Sequence, residues 1–120
     1  MSNSLYEYEF AEINGKNEIV EFLDSLNSKD KAKIIAYMDK LVDLLNNFQF
    51  PNEKLSKYLK NGIFELRVSL KNTTSRCFYF FLSEKNIIFT HGYIKKVEKT
   101  PNSEIEKAIK VKELYWSKTK

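Results

Sequence analysis

The sequence predicts an α+β fold with the element order β-α-α-β-β-β-α, in which a helical hairpin and a C-terminal helix pack on a small sheet. The first observation is the segment between Asn61 and Pro101, where three runs rich in β-branched and aromatic residues alternate with polar turns, as in consecutive antiparallel strands. The second is apolar residues at helical spacing before and after that segment. With 120 residues and 42% hydrophobic content, residues 1–120 are expected to form a single domain.

A strand and two helices are predicted before the three-strand segment. Residues 5–10 alternate aromatic with acidic side chains, as in a strand with one face in water. Asn17 is predicted to cap the first helix and Ser28 the second, and the short connection predicts a helical hairpin that needs a sheet to cover. The apolar positions expected to face that sheet are Ile19, Phe22, Leu23 and Leu26 in the first helix, and Ile34, Ile35, Met38, Leu41, Val42, Leu45 and Phe48 in the second.

The later elements are delimited by proline, glycine and polar turns. Pro51 ends the helical region because proline lacks a backbone donor, and residues 53–60 are interpreted as a short helical turn. Strands are predicted over residues 63–70, 76–82 and 87–94. The middle strand is apolar at nearly every position, which indicates a central strand covered on both sides, and Gly92 is predicted to mark a β-bulge. Thr100 and Pro101 begin the last helix, which completes one pair of α and β layers.

The composition argues against several classes of protein. No segment approaches the roughly 20 apolar residues that a membrane-spanning helix needs, and the start of the chain lacks the basic flank and apolar core of a secretion signal. A cytoplasmic protein without membrane contact is therefore expected. Cys77 is the single cysteine, which excludes an internal disulfide and a cysteine-rich metal site, and it is expected to be a core residue of a strand.

The charge is divided unevenly along the chain. Residues 1–53 carry five lysines against ten carboxylates, a formal charge of −5, whereas residues 54–99 carry eight lysines and two arginines against three glutamates, a formal charge of +7. Residues 100–120 carry five lysines against three glutamates, or +2, which brings the net charge to +4. A localised basic surface attracts phosphate, although solvated lysines without a ligand would give the same pattern.

Four short segments carry a resemblance to a known family. Residues 62–67 read Gly-Ile-Phe-Glu-Leu-Arg, residues 76–80 Arg-Cys-Phe-Tyr-Phe, residues 91–96 His-Gly-Tyr-Ile-Lys-Lys and residues 99–101 Lys-Thr-Pro. In this order the chain resembles the phage-derived, HigB-type branch of the RelE/ParE superfamily of toxin–antitoxin proteins, most closely over residues 57–108. Phe64 and Tyr93 replace a common Trp and a common Phe, and the turn at residues 71–75 lacks the usual glycine.

The resemblance implies the toxin of a type II toxin–antitoxin system. Such a toxin is an endoribonuclease that cleaves messenger RNA, usually on the ribosome, and a cognate helix-turn-helix antitoxin of the HigA kind silences it. The resemblance also implies a compact RelE-like sheet with helices on one side and a basic active-site surface elsewhere. In this chemistry the ribose 2′-hydroxyl attacks the adjacent phosphate, so the protein needs a base, cations at the phosphate and an acid, and no metal or cofactor.

The candidate catalytic residues are mostly basic. By matching positions with the family, Arg76 is assigned to the phosphate and Arg67 lies beside it or supports it, because a guanidinium fork gives phosphate two charge-assisted hydrogen bonds. Lys95, Lys96 and Lys99 are candidates for transition-state stabilisation. One of these lysines acts as acid or base if neighbouring cations lower its pKa.

Further residues are candidates for supporting roles. His91 is the single histidine, which excludes a two-histidine ribonuclease mechanism within one chain, and it is a candidate for shaping the site or for catalysis. Lys54, Lys57 and Lys60 recur every three residues, which predicts one basic side that attracts RNA or the ribosome. Tyr93 is a candidate for stacking against a base.

Each assignment has a structural alternative. In the alternative interpretation, Arg67 simply pairs with Glu65 or Glu98 on a wet face of the sheet, and Arg76 closes the turn of residues 71–75. His91 is then a hydrogen-bonded strand residue, and the lysines at 95, 96 and 99 form a solubilising entrance to the last helix. At the level of function, the alternatives are a ParE-like, non-nucleolytic inhibitor of DNA gyrase and a catalytically degenerate member that retains only antitoxin or nucleic-acid binding. The fold by itself does not discriminate between these functions.

Overall fold

A computed structural model of the chain describes residues 5–95 and 99–118. The elements in chain order are β1 (Glu7–Phe10), α1 (Glu18–Asp24), α2 (Ser28–Asn46), β2 (Ser56–Lys60), β3 (Ile63–Ser69), β4 (Thr74–Phe81), β5 (Asn86–Lys95) and α3 (Asn102–Lys118). The predicted α+β class is confirmed, with one strand more than predicted. Within the described ranges, none of these helices has the length and apolar character needed to cross a membrane.

The strands of the described residues form one sheet in the order β1-β5-β4-β3-β2. Strands β2 to β5 are an antiparallel meander, whereas β1 lies parallel to β5 at the edge, with Glu7 opposite Asn86. The predicted central position of β4 is confirmed, since β3 and β5 pair with its two edges. Its residues 75–80 are all buried, as the nearly continuous apolar run indicated.

The interpretation of residues 53–60 as a helical turn is wrong for most of that segment. Asn52 caps a tight turn by accepting a hydrogen bond from the backbone of Leu55, and β2 follows directly. In β2 the ring of Tyr58 packs edge-on against Phe64 of β3 at 5.1 Å. Pairing with β3 therefore decides the conformation, because the spacing of lysines every three residues carries no backbone preference strong enough to oppose a sheet ladder.

Helices cover both faces of the sheet. The prediction of a single pair of α and β layers is therefore wrong, and so is the arrangement with all helices on one side that the resemblance implied. Helices α1 and α2 pack on the face formed by alternate residues such as Leu66, Cys77 and Phe89, here called the α1/α2 face. Helix α3 packs on the opposite face through Ile105, Ala108 and Ile109, over Ile63, Phe78, Phe80 and Ile88, and this side is called the α3 face. The apolar residues on both sides of β4 require this third layer.

The helix starts follow local capping chemistry. Asn17 caps α1 as predicted, since its side chain accepts a hydrogen bond from the backbone of Val20. Helix α2 is capped by Asn27 rather than by Ser28, because the amide oxygen of Asn27 accepts from the backbone N–H of Asp30 at 2.8 Å. Phe48 was expected on the inner face of α2, but the helix ends at Asn46. Phe48 has a φ of 58° and is 92% exposed.

The irregularity in β5 lies two residues before the position predicted. Phe78 is opposite His91, whereas Tyr79 is opposite Phe89, so Thr90 is the extra residue of the bulge. Gly92 itself is in regular register, and its lack of a side chain serves close packing: a Cβ there would lie 2.6 Å from the ring of Phe22. The bulge also moves Ile88 to the α3 face, away from the side shared with Gly92 that was predicted for it.

Cys77 is fully buried on the α1/α2 face, and burial raises its pKa to about 12. The prediction of a core cysteine is confirmed. A thiol in such surroundings is not ionised at neutral pH, so it packs as a small apolar side chain.

Candidate active site on the α3 face of the sheet

Helix α3 covers only part of its face of the sheet. Its apolar residues lie over the end of the meander that contains Ile63, Phe80 and Ile88. Beyond the helix, two rows of residues cross the strands on the same face. The first row is Arg67, Arg76 and Tyr93, and the second row is Ser69, Thr74 and Lys95. Because directly opposed residues share a face, the strand register brings these side chains to one surface.

The two arginines lie directly opposite each other on β3 and β4 and share one carboxylate. Glu65 Oε1 accepts a hydrogen bond from Arg76 Nη1 at 2.5 Å and another from Arg67 Nε at 3.0 Å. Glu65 is fully buried, and a buried carboxylate is tolerated only when cations and donors surround it. The arginine pair and Glu65 therefore form one unit, here called the arginine clamp.

The segment that leads into α3 is tied to this clamp. The hydroxyl of Thr100 donates to Glu65 Oε2 at 2.7 Å and accepts from Arg76 Nη1 at 3.3 Å. Thr100 thus occupies the second oxygen of the carboxylate. The start of α3, at Pro101 and Asn102, is held against the sheet by polar contacts as well as by its apolar residues.

The two arginines differ in exposure. The side chain of Arg76 is 4% exposed, whereas that of Arg67 is 24% exposed, and Arg67 also donates through Nη1 to the backbone oxygen of Glu53. The Nε of Arg76 is buried and makes no hydrogen bond within the part of the chain that the structure describes. Arg67 is accordingly the more accessible guanidinium of the pair, while Arg76 is held in the interior by Glu65 and Thr100.

Tyr93 completes the row beside Arg76. Its ring stacks on Phe78 at a centroid distance of 5.8 Å with an angle of 4° between the planes. Burial raises the pKa of its hydroxyl, and the nearby Thr100 opposes that effect. The ring is thus held flat by its neighbour and remains half-buried at the border of the site.

The described lysines predicted for the site belong to two segments, the end of β5 and the connection to α3. Lys95 ends β5 on the α3 face, opposite Thr74 and two residues beyond Tyr93. Lys99 is exposed and directly precedes Thr100, which contacts the clamp. Lys96 lies outside the described residues, as does Glu98, which was an alternative partner for Arg67. Arg67, Arg76 and Lys95 therefore lie in one region of the α3 face, and Lys99 is the chain neighbour of Thr100, which contacts Arg76.

His91 is engaged on both sides of its ring. Its Nε2 is 2.9 Å from Glu104 Oε1 of α3, its Nδ1 is 2.9 Å from the hydroxyl of Thr90, and its ring stacks on Phe78 at 4.9 Å. Burial lowers the pKa of His91, although the hydrogen bond with Glu104 opposes this. The histidine connects β5 to α3 beneath the surface, which is the geometry of the hydrogen-bonded strand residue considered above.

Two of the three predicted lysines, Lys57 and Lys60, share the α3 face, because a register shift between Tyr58 and Lys60 compensates for their odd spacing in the strand, whereas Lys54 precedes the strand. Lys57 lies opposite Glu65, which places it on the α3 face beside the clamp. Lys60 pairs with Glu106 of α3 at 3.5 Å. Lys54 lies in the turn before β2, where it lines a cleft that also contains Arg67.

Glu65 is the site residue that sequence reasoning undervalued, since it appeared only as a possible surface partner of Arg67. The available signal was its place in the run Phe64-Glu65-Leu66-Arg67, because a carboxylate inside an apolar strand needs cationic partners. Chemically, the arrangement offers preorganised donors to an anion. In the described ranges, no group of three or more His, Cys, Asp or Glu residues is placed to hold a metal ion.

The comparisons with known proteins place the chain in a family. No curated protein matches the chain significantly. The family model described as "Phage derived protein Gp49-like (DUF891)" matches residues 21–113, which include α2, all strands of the meander and most of α3. The matched residues include every member of the arginine clamp and both described lysines of the site. The chain therefore belongs to the phage-derived Gp49-like family, which is of the RelE toxin type found in toxin–antitoxin systems.

Proposed function

We propose that this protein is the toxin of a type II toxin–antitoxin system and acts as a metal-independent endoribonuclease on messenger RNA. The observation that carries the proposal is the arginine clamp: Arg67 and Arg76 lie directly opposite on neighbouring strands, with Lys95 and Lys99 at the border of the same surface. Membership of a toxin-type family supports the same conclusion.

The energetics of the clamp support a role beyond stability. Like charges directly opposite on neighbouring strands are destabilising, and burying an ion pair often contributes no more than well-packed apolar residues would. Two arginines and a fully buried glutamate are therefore a poor solution for folding alone. They are a good solution for holding a guanidinium at a fixed place, where it meets an anion without reorganising.

The proposed reaction is attack of a ribose 2′-oxygen on the adjacent phosphorus, with loss of the 5′-oxygen of the next nucleotide. The proton of the 2′-hydroxyl passes to a base, and the leaving oxygen takes a proton from an acid. In this proposal Arg67 contacts the phosphate, rather than Arg76 as the sequence predicted, because Arg67 is the more exposed arginine, and Arg76 supports it by holding Glu65 and Thr100. Lys95, Lys96 and Lys99 stabilise the pentavalent phosphate, and one of them serves as acid or base.

The remaining assignments concern recognition. Tyr93 stacks against a base at the border of the site, where its ring is already held flat on Phe78. Lys57 adds positive charge beside the clamp. The partners in this proposal are messenger RNA, the ribosome that presents it and a HigA-like helix-turn-helix antitoxin, all met in the cytoplasm.

The experiment is expression of the chain without an antitoxin. Growth is expected to stop, and messages are expected to show new 5′-ends, because cleavage creates them. Arg67→Ala and Lys99→Ala are expected to restore growth, whereas Lys110→Ala, at an exposed lysine of α3, serves as the control and is expected to remain toxic.

Three outcomes would overturn the proposal. The first is a wild-type chain that leaves growth and transcripts intact. The second is growth arrest with intact messages and a DNA-damage response, which would favour the gyrase inhibitor. The third is a chain that binds RNA with salt-sensitive affinity but leaves it uncut, which would be the degenerate member instead.

A further inference from the structure

A second basic surface adjoins the clamp at the edge of the sheet. An open cleft of about 540 Å³ lies between the C-terminal half of α2, the connection to β2 and the outer part of β3. Arg67 belongs to both places, since it lines this cleft and contacts Glu65 of the clamp. A ligand that extends from the clamp across Arg67 therefore enters the cleft.

The charge of the cleft is positive. Lys40, Lys54 and Arg67 line it, and none of the described residues that line it is acidic. Lys40 comes from the half of the chain that has a formal charge of −5, so its position is not a consequence of a generally basic segment. Its ammonium group lies 5.7 Å from the ring centre of Tyr37, which also lines the cleft.

An exposed aromatic ring lies at the rim of the cleft, on a connection that is held by hydrogen bonds on both sides. Phe50 lines the cleft and is 96% exposed. The connection that carries it is fixed on both sides: Gln49 donates its backbone N–H to Leu44, and Asn52 accepts from the backbone of Lys54 and of Leu55. Fully exposing a phenylalanine forgoes about 1.5–3 kcal/mol of burial, and the fixed backbone keeps the ring available to a ligand.

Cations beside an accessible aromatic ring are the combination that binds single-stranded nucleic acid, because every base has a face that stacks and every nucleotide carries a phosphate. We infer that this cleft binds one nucleotide of single-stranded RNA next to the cleaved phosphate, with its base stacked on Phe50 and its phosphate held by Lys40 and Lys54. The inference rests on the proposed function, since it assigns the cleft to the same RNA strand whose neighbouring phosphate meets Arg67.

The test measures binding separately from cleavage. The probe is a fluorescent 2′-O-methyl oligoribonucleotide of eight residues, which lacks the attacking hydroxyl and cannot be cut. Phe50→Ala is expected to weaken binding at least about fivefold, since stacking contributes about 1–3 kcal/mol per base. Phe48→Ala is the matched control, because Phe48 is also exposed, at 92%, but does not line the cleft. The affinity of this variant for the probe is expected to equal that of the wild type.

The charged side of the cleft has its own measurement. Lys40→Ala is expected to make the negative slope of log affinity against log salt shallower by about 0.7, because one phosphate contact to a single strand is lost. Lys29→Ala, at another exposed lysine of α2, is expected to leave that slope unchanged. The four variants lie at exposed positions, so circular dichroism is expected to show the wild-type fold in each.

The outcomes separate this inference from the proposed function. RNA cleavage by the wild type, with Phe50→Ala and Lys40→Ala binding the probe normally, would overturn the cleft and leave the nuclease standing. Probe binding that depends on Phe50 and Lys40 without cleavage of natural RNA would support the cleft and overturn the nuclease. If the variants bind the probe normally but no longer bind the antitoxin, the cleft is a site for an acidic protein segment, and the inference is wrong. Failure of the wild type to bind the probe would overturn it as well.

Discussion

The two faces of the sheet are built from the same strands but from different chemistry. On the α1/α2 face, side chains such as Leu66, Cys77 and Phe89 form a continuous apolar layer under two helices. On the α3 face, one helix covers one end of the meander, and the other end carries a buried glutamate, two arginines and a lysine. Glu65 and Leu66 are neighbours in the chain and lie on opposite faces.

The difference separates the face that stabilises the fold from the face that carries the candidate site. The α1/α2 face follows the rule that apolar area removed from water drives folding. The α3 face departs from this rule beyond the end of α3, where charges are buried at a cost and must compensate one another. Such departures concentrate at functional sites, so variants on the two faces are expected to affect stability and activity in different proportions.

The largest effect is expected from Glu65→Ala, which leaves two opposed arginines without their shared carboxylate. Breaking a buried ion pair by removing one partner costs about 3–5 kcal/mol, and the loss is measured as a lower free energy of unfolding in urea. The double variant Glu65→Leu, Arg76→Met removes the buried charges together and is expected to recover most of that stability, while the proposed RNA cleavage is expected to be lost in both variants. If the double variant is as unstable as Glu65→Ala, the buried charges of the clamp stabilise the fold more than apolar residues would, which would contradict the proposed difference between the two faces.

The next effect lies one residue away on the other face. Leu66→Ala creates a cavity in the apolar layer and is expected to lower the free energy of unfolding by about 2–5 kcal/mol. The cleavage rate per folded molecule is expected to remain that of the wild type, because no atom of the clamp is removed. A tenfold fall in that rate at a temperature where the variant is fully folded would contradict the separation of the two faces.

Gly92→Ala probes the close approach of α1 to β5. The added methyl group would lie 2.6 Å from the ring of Phe22, and such overpacking costs typically about 1–3 kcal/mol. Thermal unfolding measures the effect. In a Phe22→Leu background the same change is expected to cost less, since the ring that it meets is gone, and equal costs in the two backgrounds would argue against this contact.

The smallest effect is the dependence of stability on pH through His91. Because burial lowers the pKa of His91 below its unfolded value of 6.5, the unfolded chain binds the proton more readily. Stability is therefore complete above pH 6.5 and falls as the pH drops below it, by at most about 1.4 kcal/mol per pH unit, until the folded histidine titrates too. Glu104, Glu18 and Lys107 are the charged groups that act on the ring.

The measurement is urea unfolding between pH 7 and pH 5. His91→Gln removes the titrating group and is expected to give a flatter profile in this window. An identical decline in the two proteins would assign the pH dependence to other residues.

The sequence was sufficient for features that depend on neighbouring residues. Asn17 caps its helix by a contact three residues away, and the apolar run of β4 marks it as central wherever its partners lie. Phe48 escaped prediction because it continues the apolar spacing of α2 after the helix has ended. Strand β2 escaped for a different reason, since its conformation comes from pairing with β3 rather than from its own residues.

The basic residues of the candidate site were predictable, but its buried carboxylate and the arrangement of its members were not. The basic residues and their order along the chain pointed to Arg67, Arg76 and the lysines after them. Which arginine is buried depends on Glu65 and Thr100, which are 35 positions apart and meet only in the folded sheet. The same holds for Phe50, whose exposure and place at the cleft follow from the end of α2 and the start of β2.

The parallel pairing of β1 with β5 has a consequence for the order in which the nascent chain acquires its structure. Glu7 of β1 has Asn86 as its partner, so this edge of the sheet stays open until nearly the whole meander has been synthesised. Contacts between such distant positions form late, because the intervening loop must be closed first. A product truncated before β5 would lack Tyr93 and Lys95 of the candidate site as well as the partner of β1, so we expect it to lack both a closed sheet edge and the proposed activity.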